Sequence, residues 1–374
     1  KHIILATLGG NIFLSIIAVL ISIIACKTGL TFALLTRYSF GSTGSKAASI
    51  FVPVVNLGWY TIQAATYGHF VAQVFHMGQV GEGICMAVSA IVMGIFAMCG
   101  IGAITILGYI AIPAIVFLSI ATAIRSLGVI GGMEALFAYV PSSDMPLFTG
   151  ITAVIGTWVL STATCIADIM RYAKDTKAAV SATLTGLLGG NILMIVCGAI
   201  AAIAMQNSDL TVILLGFGLV IPSLILMTTN IFTTNAANLY STSLNLSNAF
   251  KMERKKMLAI LLVLSALATL TKPYEIGFLF TFLNILGTVV PPLSGIILSD
   301  YFLVHKGHYA AYDKASFCKW NPVPWITWAI SIALVYMIPF GLPSLNGIIL
   351  GAVLYTALMA ISKQRVTTNL AEEA

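Results

Sequence analysis

The feature that most constrains this chain is a succession of long apolar runs, most of them about twenty residues, separated by short polar joints. Eleven such runs fall at roughly 2–26, 47–75, 82–100, 101–124, 149–170, 177–205, 210–240, 256–271, 276–304, 322–339 and 343–362. A backbone that crosses lipid must satisfy its own hydrogen bonds, so only helices and closed barrels qualify. The runs have helix length and no two-residue alternation, which points to helices. Composition agrees. With 59% hydrophobic and only 8% charged residues, the 374-residue chain has too little charge to cover a soluble surface. The fold class expected is all-α, a polytopic membrane protein that partners the lipid bilayer and carries no nucleic-acid surface. The six cysteines, Cys26, Cys85, Cys99, Cys165, Cys197 and Cys318, form no CxxC and read as small apolar fillers.

Charge placement orients the spans. With the 27–46 loop in the cytoplasm, 15 of the 18 Lys and Arg fall in cytoplasmic segments; Lys1, Arg125 and Lys272 do not. The positive-inside rule then places the C-terminus in the cytoplasm of a plasma-membrane protein and the first residue outside. A further helix before Lys1 is therefore expected. A repeat asks for the same helix. LGGNIFL at 8–14 recurs as LGGNILM at 188–194, on runs five apart that cross in opposite senses. An inverted repeat of five helices has this signature, although paired glycines also simply permit close packing. The expected organisation is one transmembrane domain over 1–374. Residues 1–124 are a first repeat lacking its opening helix, 149–304 a second repeat, and 322–362 two extra helices.

No ionisable residue sits at the centre of a span, which argues against a proton relay and against intramembrane hydrolysis. Asp168 and Arg171 read as a local ion pair at a cytoplasmic end, and His305 and His308 as a solvated loop. TGLTFALLTRYSFG at 28–41 reads as a loop with an amphipathic core lying at the interface. Uncharged polar residues, in contrast, cluster inside the spans. TTNIFTTNAANLY, Thr228 to Tyr240, holds four threonines and three asparagines. Read as a helix, it puts Asn230, Thr233, Thr234, Asn238 and Ser241 on one face, with Thr228 and Asn235 on another. Hydroxyls at 233 and 234 with the carbonyl of 230 suit a hard monovalent cation such as Na⁺. Amides suit a neutral heterocycle with a mixed donor and acceptor edge. In NLGWYTIQ, Asn56, Trp59 and Gln63 share a face, an aromatic plate between two amides. In GTWVLSTATCIAD, Thr157, Ser161, Thr162 and Thr164 interrupt an apolar core after Trp158, as where a helix unwinds around a ligand. Each group can also act only as interhelical glue. Pro291-Pro292 in the ninth span reads as a kink, either a hinge or a static bend.

Taken together, KTGLTFALLTRYSFG (27–41), NLGW (56–59), GTW with its Ser/Thr run and ADIMRYA (167–173), NIFTTNAANLY (230–240) and PPLSGIILSDYF (291–302) resemble the nucleobase–cation symporter-1 family. The resemblance covers nearly the whole chain, in order. It implies a leucine-transporter-like fold with inverted five-helix repeats, in which this chain starts at the second helix. It implies import of cytosine or a close nucleobase by Na⁺ symport with alternating access, and no enzyme. Alternatives are a permease for a purine, allantoin, hydantoin or thiamine-precursor pyrimidine, some relatives being proton-coupled, or, in another class, a passive channel. By motif, Trp59 and Trp158 (or Val159, one residue along) would stack on the ring. Asn56, Gln63, Ser161, Asn230 and Asn235 would read its edge. Thr233, Thr234 and the Asn230 carbonyl would ligate Na⁺, with its other ligands on the helix expected before Lys1.

Overall fold

In a computed structural model, which describes residues 2–99, 101–140, 146–207, 213, 215–218, 220–338, 340–362 and 367–369, the apolar runs are helices. They are α1 (His2–Thr28), α2 (Phe32–Val74), α3 (Gln79–Met98), α4 (Ile101–Ile130), a short α5 (Met133–Ala138), α6 (Leu147–Leu160) and α7 (Ile166–Met170). There follow α8 (Thr176–Leu184), α9 (Ile192–Met205), α10 (Val220–Phe250), α11 (Arg254–Thr269), α12 (Ile276–Ser299), α13 (Val323–Met337) and α14 (Pro343–Ser362). Three π-helical segments, Ser161–Cys165, Thr185–Asn191 and Asp300–Val304, join α6 to α7, join α8 to α9 and extend α12. Among the described residues six helical spans are long and apolar enough to cross a membrane, and the bent pair through Ser161 makes a seventh. The α11 and α13 helices, of 16 and 15 residues, are shorter. The non-helical exception is a pair of three-residue antiparallel strands, Ala315–Phe317 with Thr367–Asn369.

The structure revises several expectations. The seventh run is displaced, with α10 continuing to Phe250 because its Ser/Asn-rich end, Ser241 to Asn245, is buried against other helices. The 28–41 segment is not an interfacial loop. Thr31 caps a helix from Phe32, and Phe32, Leu35, Tyr38 and Phe40 are buried. Gly41, at φ 81°, turns the chain into the rest of α2, and a Cβ there would meet the Cys318 carbonyl oxygen at 2.7 Å. Pro291 and Pro292 do not break α12; they lie at a tight crossing with α14, where a Cβ on Gly351 would stand 2.3 Å from the Pro292 oxygen.

The repeated motif meets itself. Asn191 donates to the Oδ1 of Asn11 at 2.6 Å, the same position in each copy. Thr183 meets Ser22 at 2.9 Å, and Cys26 donates to the Ala173 carbonyl. As one residue number rises the other falls, so α1 and the α8–α9 run are antiparallel. Equivalent residues touch only near a two-fold axis, which accords with inverted repeats. In the first copy the glycines take α6 close: a Cβ on Gly10 would stand 2.6 Å from a Val154 methyl. In the second copy, a Cβ on Gly190 would meet nothing within 4 Å.

The helices pack as two groups. Outer α2, α3, α10 and α11 bury Tyr60, Phe70, Met93, Leu239, Leu258 and Leu261 in one cluster. In the other, α1 and α6 pack with α12, α13, α14 and the Phe32–Phe40 segment. At one end of the molecule, bonds from Phe32 to Asp168 and from Arg37 to Tyr312 gather Lys27, Arg37, Arg171, Lys251 and Lys306. There Asp300, fully buried, accepts from Tyr309 at 2.5 Å and Tyr355 at 2.7 Å. Burial and the Asp300 charge raise the Tyr309 hydroxyl well above its ordinary pKa, so it remains a donor. His305 stands 3.5 Å from the same carboxylate and edge-on to Tyr38, so it is packed and not solvated. At the opposite end Glu82 gathers His69 at 2.8 Å, Lys272 at 3.4 Å and Tyr274 at 2.6 Å.

The asparagine pair yields a stability test. Asn191→Leu strands a buried acceptor on Asn11 and is expected to cost about 1–3 kcal/mol. The double variant, Asn11→Leu with Asn191→Leu, removes both groups and should unfold at a higher temperature than Asn191→Leu alone, measured by thermal denaturation in detergent.

Candidate functional site

Three elements carry the sequence-derived site residues, and their mutual depth follows from the contacts between them. Asn235 donates to the Tyr60 carbonyl at 3.1 Å, and Tyr67 meets Thr228 at 2.7 Å, so α10 runs antiparallel to α2. The first turn of α2 and the last of α7 share the basic end, because the Phe32 amide donates to Asp168 at 2.9 Å. α10 and α6–α7 therefore run in the same sense, and Ser241 bonds Asp168 where they meet. Seven residues back on each lie Thr234 and Ser161, about 10 Å from that bond and at one depth. The antiparallel register puts Asn56 near the level of Leu239. An independent contact agrees: the Asn56 amide reaches the Cys165 sulfur, three residues before Asp168, at 2.9 Å. Asn56, Trp59, Gln63, Trp158, Ser161, Asn230, Thr233 and Thr234 all fall within a slab of roughly three helical turns.

Within the slab the aromatic and amide groups are poised rather than consumed. Trp59 is half-buried and stands edge-on to Phe282 of α12, ring centres 5.4 Å apart at 75°. Trp158 is half-buried while Val159 is fully buried, so of the two neighbours the tryptophan has the open face. The oxygens Asn56 Oδ1 and Gln63 Oε1 are buried without a hydrogen-bond partner. Such acceptors cost free energy in a bare protein and are expected where a ligand completes them.

The threonines take a mixed form. Thr233 donates to the carbonyls of Thr229 and Asn230, each at 2.9 Å, and Thr234 to that of Asn230 at 3.1 Å. Bonding back into its own helix is what a glue role predicts. It also gathers three uncharged oxygens, Asn230 O, Thr233 Oγ1 and Thr234 Oγ1, and each hydroxyl keeps lone pairs for a cation. No group of three or more His, Cys, Asp or Glu fit for a metal occurs among the described residues, so a cation here depends on neutral oxygens. Asn235 departs from its neighbours. It lies about 140° round α10 from Asn230, fully buried, its amide committed to the Tyr60 carbonyl and to Met93 at 3.2 Å. Its amide nitrogen holds the turn of α2 that carries Trp59, while its Oδ1 is buried without a hydrogen-bond partner, like those of Asn56 and Gln63.

The interruption after Trp158 is a π-helical segment with a 44° bend, not an unwound stretch. Thr157 and Thr162 bond the carbonyls of Val154 and Val159 there. Phe282 was not singled out by sequence, being one aromatic among many in an apolar span, and Cys165, read as a filler thiol, instead meets Asn56. Asp168, read as half of an ion pair, is not within ion-pair distance of Arg171, whose Nε bonds its backbone carbonyl at 3.4 Å. Its carboxylate instead takes donors from Phe32, Ser241 and Asn245.

Residues 1–359 match the family model described as permease for cytosine/purines, uracil, thiamine, allantoin. The cytosine permease of Escherichia coli strain K12 is 30% identical over 366 residues, 98% of this chain and 85% of that protein. The hydantoin permease of Microbacterium maritypicum is 24% identical over 90% of this chain and 74% of its own length. Among solved structures, Mhp1, a nucleobase-cation-symport-1 family transporter in a closed conformation with bromovinylhydantoin bound, superposes with a TM-score of 0.84 at 21% identity, covering 96% of this chain and 85% of Mhp1. MhsT in complex with L-phenylalanine gives 0.64 at 15% identity, over 96% and 90%. These neighbours share the fold.

Because Gln63 leaves its buried acceptor unpartnered, Gln63→Met should not lower the melting temperature in detergent, and a rise of a few degrees is expected. A clear fall would show that the amide has a structural partner.

Proposed function

The chain belongs to the family of permeases for cytosine, purines, uracil, thiamine and allantoin, and from that premise we propose that it imports cytosine or a close nucleobase by sodium symport. It is a multi-pass membrane transporter and not an enzyme. One observation carries the finer reading: three buried, unpartnered amide oxygens, on Asn56, Gln63 and Asn235, lie around Trp59 at the depth of the Asn230–Thr233–Thr234 oxygens. Trp59 and Trp158 sandwich a flat ring. Asn56 and Gln63 accept from its amino and ring N–H groups, while the Ser161 hydroxyl and the Asn230 amide donate to its carbonyl and ring nitrogen. Asn235 fixes the turn of α2 that carries Trp59 through its amide nitrogen, and its unpartnered Oδ1 offers the ring edge a third acceptor.

Na⁺ is the co-transported ion and binds Asn230 O, Thr233 Oγ1 and Thr234 Oγ1. Binding turns two hydroxyl protons away from the Asn230 carbonyl and stiffens the α10 turn that presents the Asn230 side chain. Ion and substrate thus share one residue, and each raises the affinity of the other by the same factor. The two helix groups rock against each other to alternate access. The basic end faces the cytoplasm of the plasma membrane, with the C-terminus inside. Kinship with the hydantoin permease favours a second reading, in which a hydantoin or purine replaces cytosine; Asn56→Gln is then expected to change the preference among these rings.

The test is uptake of radiolabelled cytosine into proteoliposomes with Na⁺ replaced by choline. Uptake should fall at least tenfold. Thr234→Ala should weaken apparent Na⁺ affinity about tenfold, since a contact to a charged group is worth roughly 1.5–3 kcal/mol. Undiminished uptake in choline overturns the sodium assignment. Flux that fails to saturate with substrate would mark a channel instead.

A further inference from the structure

Beneath the site lies a buried carboxylate that the transport reading leaves unused. Asp168 is fully buried. Its Oδ1 accepts from the Phe32 amide at 2.9 Å, and its Oδ2 accepts from the Ser241 hydroxyl and from Asn245 Nδ2 at 3.1 Å. Among the described residues no cation lies within ion-pair distance of it. These donors come from separate parts of the molecule. Asp168 itself belongs to α7, which packs on α1. Ser241 and Asn245 belong to α10, which packs on α2 and α3, and Phe32 opens the segment between α1 and α2. α7 and α10 make few close backbone approaches, so their seam at the basic end depends on side chains. One turn toward the site, Cys165 is buried against Asn56.

We propose that Asp168 is a positioning residue that locks the inner end of the transport path. Its bonds from Ser241 and Asn245 tie the group of α1 to the group of α2 and α10 below the site, the bond from Phe32 fixes the carboxylate between them, and the two crossing bonds must break for the inner mouth to open. The lock rests on the reading of this chain as an alternating-access transporter. A carboxylate suits it because all three partners are donors, and an amide of the same shape would turn hydrogens toward at least one of them. Because no cation among the described residues lies within ion-pair distance of the carboxylate, its direct anchorage rests on those donors and is lost with them.

Cys165 supplies the reporter. In a background where Cys26, Cys85, Cys99, Cys197 and Cys318 are replaced by serine or alanine, Asp168→Asn should speed labelling of Cys165 by a membrane-impermeant methanethiosulfonate reagent at least tenfold. The increase should come from one membrane face only, read by comparing inside-out and right-side-out vesicles. Asn245→Ala, which removes a single donor, should give a smaller increase from the same face and keeps the test valid if Asp168→Asn does not fold. Unchanged labelling in a folded variant overturns the lock, as does an equal increase from both faces, which would mean general loosening. The readout needs no substrate. A cytosine-uptake failure with one-sided labelling would defeat the substrate reading and leave the lock standing.

Discussion

A polar group inside a bilayer has no water to return to, so every buried oxygen and amide must find its partner in the protein. This constraint sorts the polar residues of the chain into two kinds. Many serines and threonines bond the carbonyl three or four residues earlier and ask nothing of their neighbours, as Thr61, Thr66, Thr122, Ser126 and Thr288 do. A few amides and carboxylates cannot be satisfied locally and so tie helices together: Asn11 with Asn191, Asn235 with Tyr60, Asn56 with Cys165, Asp168 with α10, and Asp300 with Tyr355. These ties fix how the helices sit, because apolar packing between helices in lipid is not directional.

Carboxylates at both ends of the molecule are ringed by donors. The basic end has two carboxylates fully provided with donors, and the opposite end has Glu82 inside a ring of His69, Lys272 and Tyr274. Between these ends Asn56, Gln63 and Asn235 keep side-chain oxygens without partners, and so do Ser39, Thr242 and Asn245 nearer the basic end, so unpartnered acceptors run along the path and are not confined to one layer.

Much of this was legible in the sequence, for reasons that differ by level. Span positions, the antiparallel relation of the two LGGN copies and the polar face of α10 follow from periodicity and repetition, which are local properties. The end of α10 was not legible. STSLNLSN looks like a polar exit from the membrane, and only the buried acceptor on Asp168 makes it pay to stay helical. The burial of Phe32–Phe40 was hidden for the same reason, since its apolar face reads equally as membrane-seeking and as core. Asp168 and Arg171, three apart, invited an ion pair, but the carboxylate faces inward and Arg171 reaches the Tyr172 hydroxyl. Within the candidate site, the shared faces of Asn56, Trp59 and Gln63 were readable by spacing. The opposition of Phe282 to Trp59 and the turn of Asn235 toward Tyr60 depend on which helices become neighbours.

The π-helical turn at Ser161–Cys165 has a consequence for how this path can evolve. A π turn accommodates one residue more than an α turn, so it stores a phase difference of about 100° between the helix above and the helix below. Removing that surplus residue would turn Trp158 by about 100° relative to Asp168, so the helix carries two side-chain faces whose relative direction is set by one residue.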